Sequence, residues 1–214
     1  MRSLEHQGVK TLFGYPGGSI MPTFDALYGH RDTLNHILVR HEQGATHAAQ
    51  GFARVSGEVG VCLVTSGPGA TNTLTGIADA MIDSTPIVVI TGQVPTGMLG
   101  TDAFQEVDLV SVTQPITKWS YQIRSAKDVA WAVARAFFLA KNGRPGPVVL
   151  DFTKNAQTEM VVTNLPRWIS SVVTTPTPIH RKAPWRRPLC LSTRQSVHSC
   201  LSDKEWSWAM HRLS

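Results

Sequence analysis

Three short stretches combine residue types that can do chemistry with the spacing of turns between strand and helix. Pro16-Gly17-Gly18 and Ser66-Gly67-Pro68-Gly69 are glycine turns, which can bring backbone close to a ligand because glycine has no Cβ and tolerates positive φ. Between them, Arg40-His41-Glu42-Gln43-Gly44-Ala45 places a carboxylate where an extended run hands over to a helical one. Singly, each is ordinary: a Gly-Pro-Gly turn is most often only a turn, and a glutamate in a first helical turn complements the helix dipole. A glycine loop at such a handover can also cradle a diphosphate. Ser66-Gly67-Pro68-Gly69-Ala70-Thr71-Asn72 lacks the third glycine of the dinucleotide fingerprint, and no Gly-Lys-Ser/Thr follows a glycine loop anywhere. Nucleotide binding is therefore the weaker reading.

The elements that must position these turns alternate short apolar runs with helical patterns, as a parallel sheet with crossover helices requires. Thr11 to Tyr15, His36 to Arg40, Val59 to Thr65, Pro86 to Thr91 and Pro147 to Asp151 read as strands. The third is near-continuously apolar, as a strand covered on both faces should be. Helices are predicted from Ile20 to Tyr28, Gln43 to Val55, after Gly69 to Asp83, and Ala126 to Asn142, with an irregular stretch from Gly92 to Val112. The expected fold is α/β: an open, mostly parallel sheet of five or six strands with helices on both faces, over residues 1–157. In such sheets ligands bind beyond the carboxyl ends of the strands, which is where the three stretches fall.

Composition sets the outer bounds. The 214 residues suit one well-buried domain with some tens of residues to spare. A hydrophobic content of 42% with 16% charged residues fits a globular protein. No apolar run approaches the length that spans a bilayer, and the N-terminus lacks the apolar core of a secretory signal. The cytoplasm is the expected compartment, with no membrane partner. Cys62, Cys190 and Cys200 are too unevenly spaced for a disulfide framework or a metal set. Residues 1–157 hold twelve Lys+Arg and twelve Asp+Glu, so the net charge of +5 belongs to residues 158–214. That segment has four of the six tryptophans, scattered prolines and no sustained period. It reads as an irregular or disordered basic tail. Its arginines beside Trp185 could contact nucleic acid, but composition alone favours that reading and it is not the expected one.

Taken together, the motifs resemble one family. Phe13-Gly14-Tyr15-Pro16-Gly17-Gly18, Arg40-His41-Glu42-Gln43-Gly44-Ala45, Thr65-Ser66-Gly67-Pro68-Gly69-Ala70-Thr71-Asn72, Thr91-Gly92-Gln93-Val94-Pro95-Thr96 and Gly100-Thr101-Asp102-Ala103-Phe104-Gln105-Glu106 are similar in order and spacing to the N-terminal thiamine diphosphate domain of acetolactate synthase catalytic subunits. Thr117-Lys118-Trp119 and Arg144-Pro145-Gly146-Pro147-Val148 extend the resemblance to about three quarters of the chain.

The resemblance implies an enzyme that condenses two pyruvates, or pyruvate with 2-oxobutyrate, releasing carbon dioxide in branched-chain amino-acid biosynthesis. Its carbanion chemistry belongs to thiamine diphosphate. By the same resemblance Glu42 hydrogen-bonds the aminopyrimidine ring nitrogen, a role suited to a carboxyl group that can share a proton. It also implies cofactor contacts from Pro16, Gly17, Gly18, Ser66, Gly67, Pro68, Gly69 and Asn72. Gln105 and Lys118 would stabilise charge on the substrate, and Ser19, Pro95, Ala103 and Phe104 would line the substrate channel. The small residues Gly44, Ala45, Ala48 and Ala49 would let the helix after Glu42 pack closely at a dimer interface, in a homodimer or with a full-length subunit.

The family holds the diphosphate through Mg²⁺ on a second α/β domain bearing Gly-Asp-Gly, and binds FAD mainly through a middle domain. No Gly-Asp-Gly occurs here, and the sequence after Asn155 does not continue the pattern. A truncated or mis-assembled gene product, inactive in isolation, is therefore expected. The alternative is a non-catalytic module that pairs with a full-length subunit.

Overall fold

In the computed structural model, which describes residues 1–162, the apolar runs become strands β1 (Thr11–Gly14), β2 (Asn35–Leu38), β3 (Gly60–Val64), β4 (Ile87–Gln93), β5 (Trp119–Ile123) and β6 (Val148–Thr153). They form one parallel sheet in the order β2-β1-β3-β4-β6-β5. Phe13 aligns with Cys62, Val61 with Val88, and Ile90 with Leu150, which itself aligns with Tyr121. Most of the tail expected over 158–214 lies outside the described residues.

Because successive strand side chains point to opposite faces, β3 serves two cores. Val61 and Leu63 join Leu12, Val88, Ile90, Val148 and Leu150 on one face. Helices α1 (Arg2–His6), α2 (Met21–Tyr28), α7 (Ala126–Lys141) and α8 (Lys154–Thr158) cover it. Cys62 and Val64 join Phe13, Ile87, Val89 and Val149 on the other, beneath α3 (Glu42–Ser56), α4 (Pro68–Thr71), α5 (Leu74–Ile82) and α6 (Leu109–Thr113). The open parallel α/β sheet with helices on both faces is thus as the sequence implies.

Three details differ from expectation. The helix expected from Gly69 to Asp83 is interrupted at Asn72 and Thr73, whose side chains bond to Glu42 and to the Ala70 carbonyl. The irregular stretch contains the end of β4 and the start of α6. And β5 was not expected: its alternating Trp-Ser-Tyr-Gln-Ile forms a sheet edge, half-buried except at Ile123. There Trp119 and Tyr121 stack with centroids 5.1 Å apart, and Trp131 of α7 meets both edge-on.

Candidate functional site

From β1 the chain moves to β2 on one side, then crosses back to β3 on the other. The loops leaving β1 and β3 diverge, and the carboxyl ends of these two strands bound a crevice at the topological switch point. Pro16 to Gly18 leave β1, Ser66 to Gly69 leave β3, and Glu42 begins the helix that follows β2.

Glu42 owes its position to a helix cap. His41 is extended, and its Nδ1 accepts the Gln43 N–H at 3.2 Å, which stops the helix from starting earlier. The Glu42 side chain is only 8% exposed. Its Oε2 accepts from Asn72 Nδ2 at 3.0 Å; its Oε1 has no hydrogen bond among the described residues. That second oxygen faces the turn after β3, since a Cβ at Gly69 would lie 3.1 Å from it. Burial, and then the nearby Glu42 charge, push the Cys62 thiol well above its usual range, so this cysteine is an inert core residue.

Thr65 is the wedge between the two glycine turns. A Cβ at Gly17 would lie 2.5 Å from Thr65 Cβ, and one at Gly69 would lie 2.7 Å from Thr65 Cγ2. Only glycine fits at either place. Among the described residues the buried Thr65 Oγ1 has no partner, a situation that costs about 1–3 kcal/mol and that a polar ligand atom in the crevice would relieve. Ser66 Oγ donates to Ser19 Oγ at 2.8 Å, tying the turn after β3 to the chain after β1. Gly67 has φ +57°, and a Cβ there would meet the Gln105 carbonyl oxygen at 2.6 Å. The loop after β4 therefore closes directly on this turn.

The structure brings Pro16, Gly17, Ser19, Glu42, Ser66, Gly67, Pro68, Gly69, Asn72 and Gln105 to one end of the sheet. Pro95, Ala103 and Phe104 lie on the same loop as Gln105, with Phe104 86% exposed. Gly18 sits in open space, with no atom within 4 Å of a Cβ.

Lys118 is the correction. It precedes β5 rather than following a strand, and so lies at the amino end of the sheet. Its Nζ donates to the Leu139 carbonyl and, at 2.7 Å, to the Asn142 carbonyl, satisfying the last turn of α7. Burial lowers its pKa. A basic side chain at the carboxyl end is instead Lys154, exposed at the start of α8 directly after β6. Its neighbour Asn155 accepts from the Thr96 N–H at 2.8 Å, which puts it next to the Pro95 loop. The rule that pointed to Glu42, looking just after a strand, would have found Lys154 too. Thr65 lay inside a quoted motif, but nothing in the sequence marks its hydroxyl as unpaired.

One of the four small residues on α3 also parts company. Ala45 and Ala49 are buried against the sheet and Ala48 packs half-buried against the same core, so that Gly44 alone of the four is exposed.

Residues 1–112 match the family described as thiamine pyrophosphate enzyme, N-terminal TPP binding domain. Over 159 residues the chain is 56% identical to the acetolactate synthase large subunit of Pyropia yezoensis, covering 73% of this chain and 27% of that protein. It is 54% identical over 158 residues to the acetolactate synthase large subunit of Lactococcus lactis, covering 74% and 27%. To the probable acetolactate synthase large subunit of Methanocaldococcus jannaschii it is 54% identical over 157 residues, covering 73% and 26%. The chain thus spans about a quarter of the length of these curated relatives.

Proposed function

Because the chain belongs to the thiamine pyrophosphate enzymes, carrying their N-terminal TPP binding domain, we propose that residues 1–157 are the aminopyrimidine-binding part of an acetolactate synthase large subunit. The reaction would be the decarboxylating condensation of two pyruvates, or of pyruvate with 2-oxobutyrate. The observation that carries this reading is Glu42: a buried carboxylate at the switch point, with one oxygen held by Asn72 and the other turned toward a glycine turn.

The residues present fit the cofactor's pyrimidine half. Gly17 and Gly69 let the two turns close on Thr65, where any Cβ would collide with its side chain, and the Thr65 hydroxyl, without a partner among the described residues, offers a hydrogen bond there. Thiamine diphosphate, when bound, supplies the carbanion-stabilising carbon. The Glu42 Oε1 then holds or shares the proton on the pyrimidine ring nitrogen, with Asn72 fixing the carboxyl plane. Pro16 to Gly18 and Ser66 to Gly69 pack backbone against the ring and exclude water, which strengthens that hydrogen bond. Gln105 would orient the substrate's oxo group, and Lys154, in place of Lys118, its carboxylate. Phe104, Ala103, Pro95 and Ser19 would shape the channel rim.

Among the described residues no group of three or more His, Cys, Asp or Glu could hold a metal ion. We assign the Mg²⁺ that anchors the diphosphate, and FAD, to sequence beyond this domain. No described helix is long and apolar enough to cross a membrane; the cytoplasmic location expected from the sequence stays a proposal. Pairing through α3 is supported by its outward face, where Gly44, His47, Gly51 and Val55 recur at helical spacing and Val55 is 91% exposed. A second copy or a full-length subunit would cover it.

Complementation in trans tests the reading. A full-length acetolactate synthase large subunit inactivated at its own matching glutamate is co-expressed with this chain, and acetolactate is measured with pyruvate, thiamine diphosphate, Mg²⁺ and FAD. Restored turnover that disappears with Glu42→Gln in this chain is expected, and none from the chain alone. Absence of restoration despite co-purification would remove the catalytic reading and leave only a non-catalytic pairing module.

A further inference from the structure

The loop that carries Phe104 and Gln105 is organised by a side chain the proposed chemistry does not use. Glu106 Oε1 accepts the Gly100 N–H at 2.5 Å and Oε2 accepts the Ala103 N–H at 3.0 Å. The N–H groups of Thr101 and Asp102 also turn toward this carboxylate, and the four together hold its pKa below the ordinary glutamate value. Successive backbone N–H groups converging in a turn make an anion-binding concavity. Here the anion is the loop's own.

The backbone it holds is unusual. Gly100 has φ +77°, and two residues with side chains, Asp102 at +55° and Gln105 at +59°, also occupy the left-handed region. Such conformations are uncommon outside glycine and persist only where the surroundings enforce them. Two clamps do so. Inside the loop there is Glu106; at its far end the Val107 carbonyl accepts from Gln93 Nε2 at 2.9 Å, and that same nitrogen donates to the buried Asp151. Between the clamps, the Gln105 backbone lies against Gly67, whose own φ of +57° leaves no room for a Cβ. An exposed glutamate serving only as a solvated surface charge would not gather four N–H groups from its own loop.

We propose that Glu106 is a positioning residue: by gathering the N–H groups of residues 100–103 it folds the loop so that Gln105 seats on the Gly67 turn and Phe104 stands at the rim of the crevice. The loop's dependence on Glu106 stands by itself; its consequence for ligand binding rests on the thiamine reading above.

Hydrogen exchange on the full 214-residue chain, with mass spectrometry of the peptides over 96–108, separates the two. Glu106→Gln keeps size but loses the charge and half of the acceptors. Exchange at residues 100–103 is expected to rise about tenfold, the size of one or two lost hydrogen bonds, while β3 and α3 exchange as before. Glu106→Asp, which retains the charge, should recover part of the protection. The wild-type loop should also lose protection at acid pH, after correction for intrinsic rates. A carboxylate with a depressed pKa stabilises fully above its unfolded value and loses that effect as pH falls through the folded one. The charged groups facing it are Asp102 on the loop, with Asp108 and Arg124 lining the same cavity of about 310 Å³; the acid step must vanish in Glu106→Gln if Glu106 is its source. Exchange unchanged in Glu106→Gln, or an acid step that persists in it, overturns the proposal. Calorimetric titration with thiamine diphosphate and Mg²⁺ supplies the second arm, on the chain paired with a full-length subunit that provides the diphosphate anchor. Glu106→Gln is expected to bind about fivefold or more weakly, since roughly one hydrogen bond's worth of loop order must be recovered on binding, whereas Glu42→Gln weakens binding with loop exchange intact. If the wild-type pair binds none, the thiamine reading falls and the exchange data alone decide on Glu106. If the wild type binds and Glu106→Gln binds equally, the positioning role is overturned.

Discussion

Glu42 and Asp151 are both buried carboxylates in the same sheet architecture, and their surroundings have almost nothing in common. Asp151, in the middle of β6, is fully buried and accepts from Thr91 Oγ1 at 2.9 Å and from Gln93 Nε2 and Gln122 Nε2, each at 3.1 Å. Neither glutamine can turn over. Gln93 Oε1 is held by the Val94 N–H and Gln122 Oε1 by Arg124 Nε. Glu42, after a strand end, has one donor, one oxygen without a partner among the described residues, and a glycine turn beside it. Burial alone therefore does not mark a functional acid. Burial with acceptor capacity left over, beside a glycine turn, is what sets Glu42 apart.

The comparison breaks most easily at Glu42. In a complemented enzyme, Glu42→Gln should lower turnover by about 10²–10⁴-fold, the range of a lost proton-transfer partner, while the urea midpoint of the isolated chain changes little. A loss of stability with turnover intact would make Glu42 another Asp151.

Asp151→Asn should do the reverse. With its amide oxygen toward the two glutamines, the new side chain turns its N–H₂ toward Thr91 Oγ1, whose hydroxyl must rotate to accept and give up the bond it now donates, which costs about 1 kcal/mol of unfolding free energy. Glu42 and the glycine turns stay in place in the folded fraction, so binding there is retained once corrected for the unfolded population. Urea unfolding with a parallel thiamine diphosphate titration checks both halves.

The pH dependence of stability sharpens the contrast further. Burial, the largest influence, raises the Asp151 pKa from 3.8 to about 6 despite its three hydrogen bonds. Its stabilisation is therefore fully present below about pH 3.8 and lost as pH rises through about 6, an effect of about 3 kcal/mol at most. His36 runs the other way, because burial lowers its pKa: its contribution is present above about pH 6.5 and lost as pH falls below that. Between about pH 4 and 6 the two oppose, so wild-type stability should be flatter than that of Asp151→Asn, which should only gain stability as pH rises. Urea midpoints over that range decide it.

The smallest effect is expected at the amino end. Lys118→Met removes donors to two carbonyls at the end of α7 but keeps the alkyl stem, costing about 0.5–1 kcal/mol with no change in ligand affinity. A large fall in turnover with stability unchanged would return Lys118 to the active site.

The same contrast explains what could be read from the sequence. The turns at Gly17 and Ser66 to Gly69 were legible because they follow the apolar runs of the buried strands β1 and β3, and Glu42 because it follows the short apolar run of β2, which lies exposed at the sheet edge. The edge strand β5 was not, since Trp119, Tyr121 and Gln122 alternate without an apolar run, and the two rings are held by stacking on each other with Trp131 edge-on to both. Lys118 was misplaced because its role came from a motif rather than from which end of a strand it occupies. The left-handed Asp102 and Gln105 were invisible for another reason: no local propensity sets them, only the Glu106 carboxylate and the Gly67 turn.

The central claim is that Glu42 Oε1 meets the pyrimidine ring nitrogen of thiamine diphosphate, and nitrogen NMR reads that contact directly. With the cofactor labelled at that nitrogen, its resonance should shift strongly on binding to the wild-type chain paired with the inactivated full-length subunit, and remain near its free position with Glu42→Gln in the same pair at matched saturation. An equal shift with both chains would show that the ring nitrogen does not meet Glu42, and the account of this site would fail.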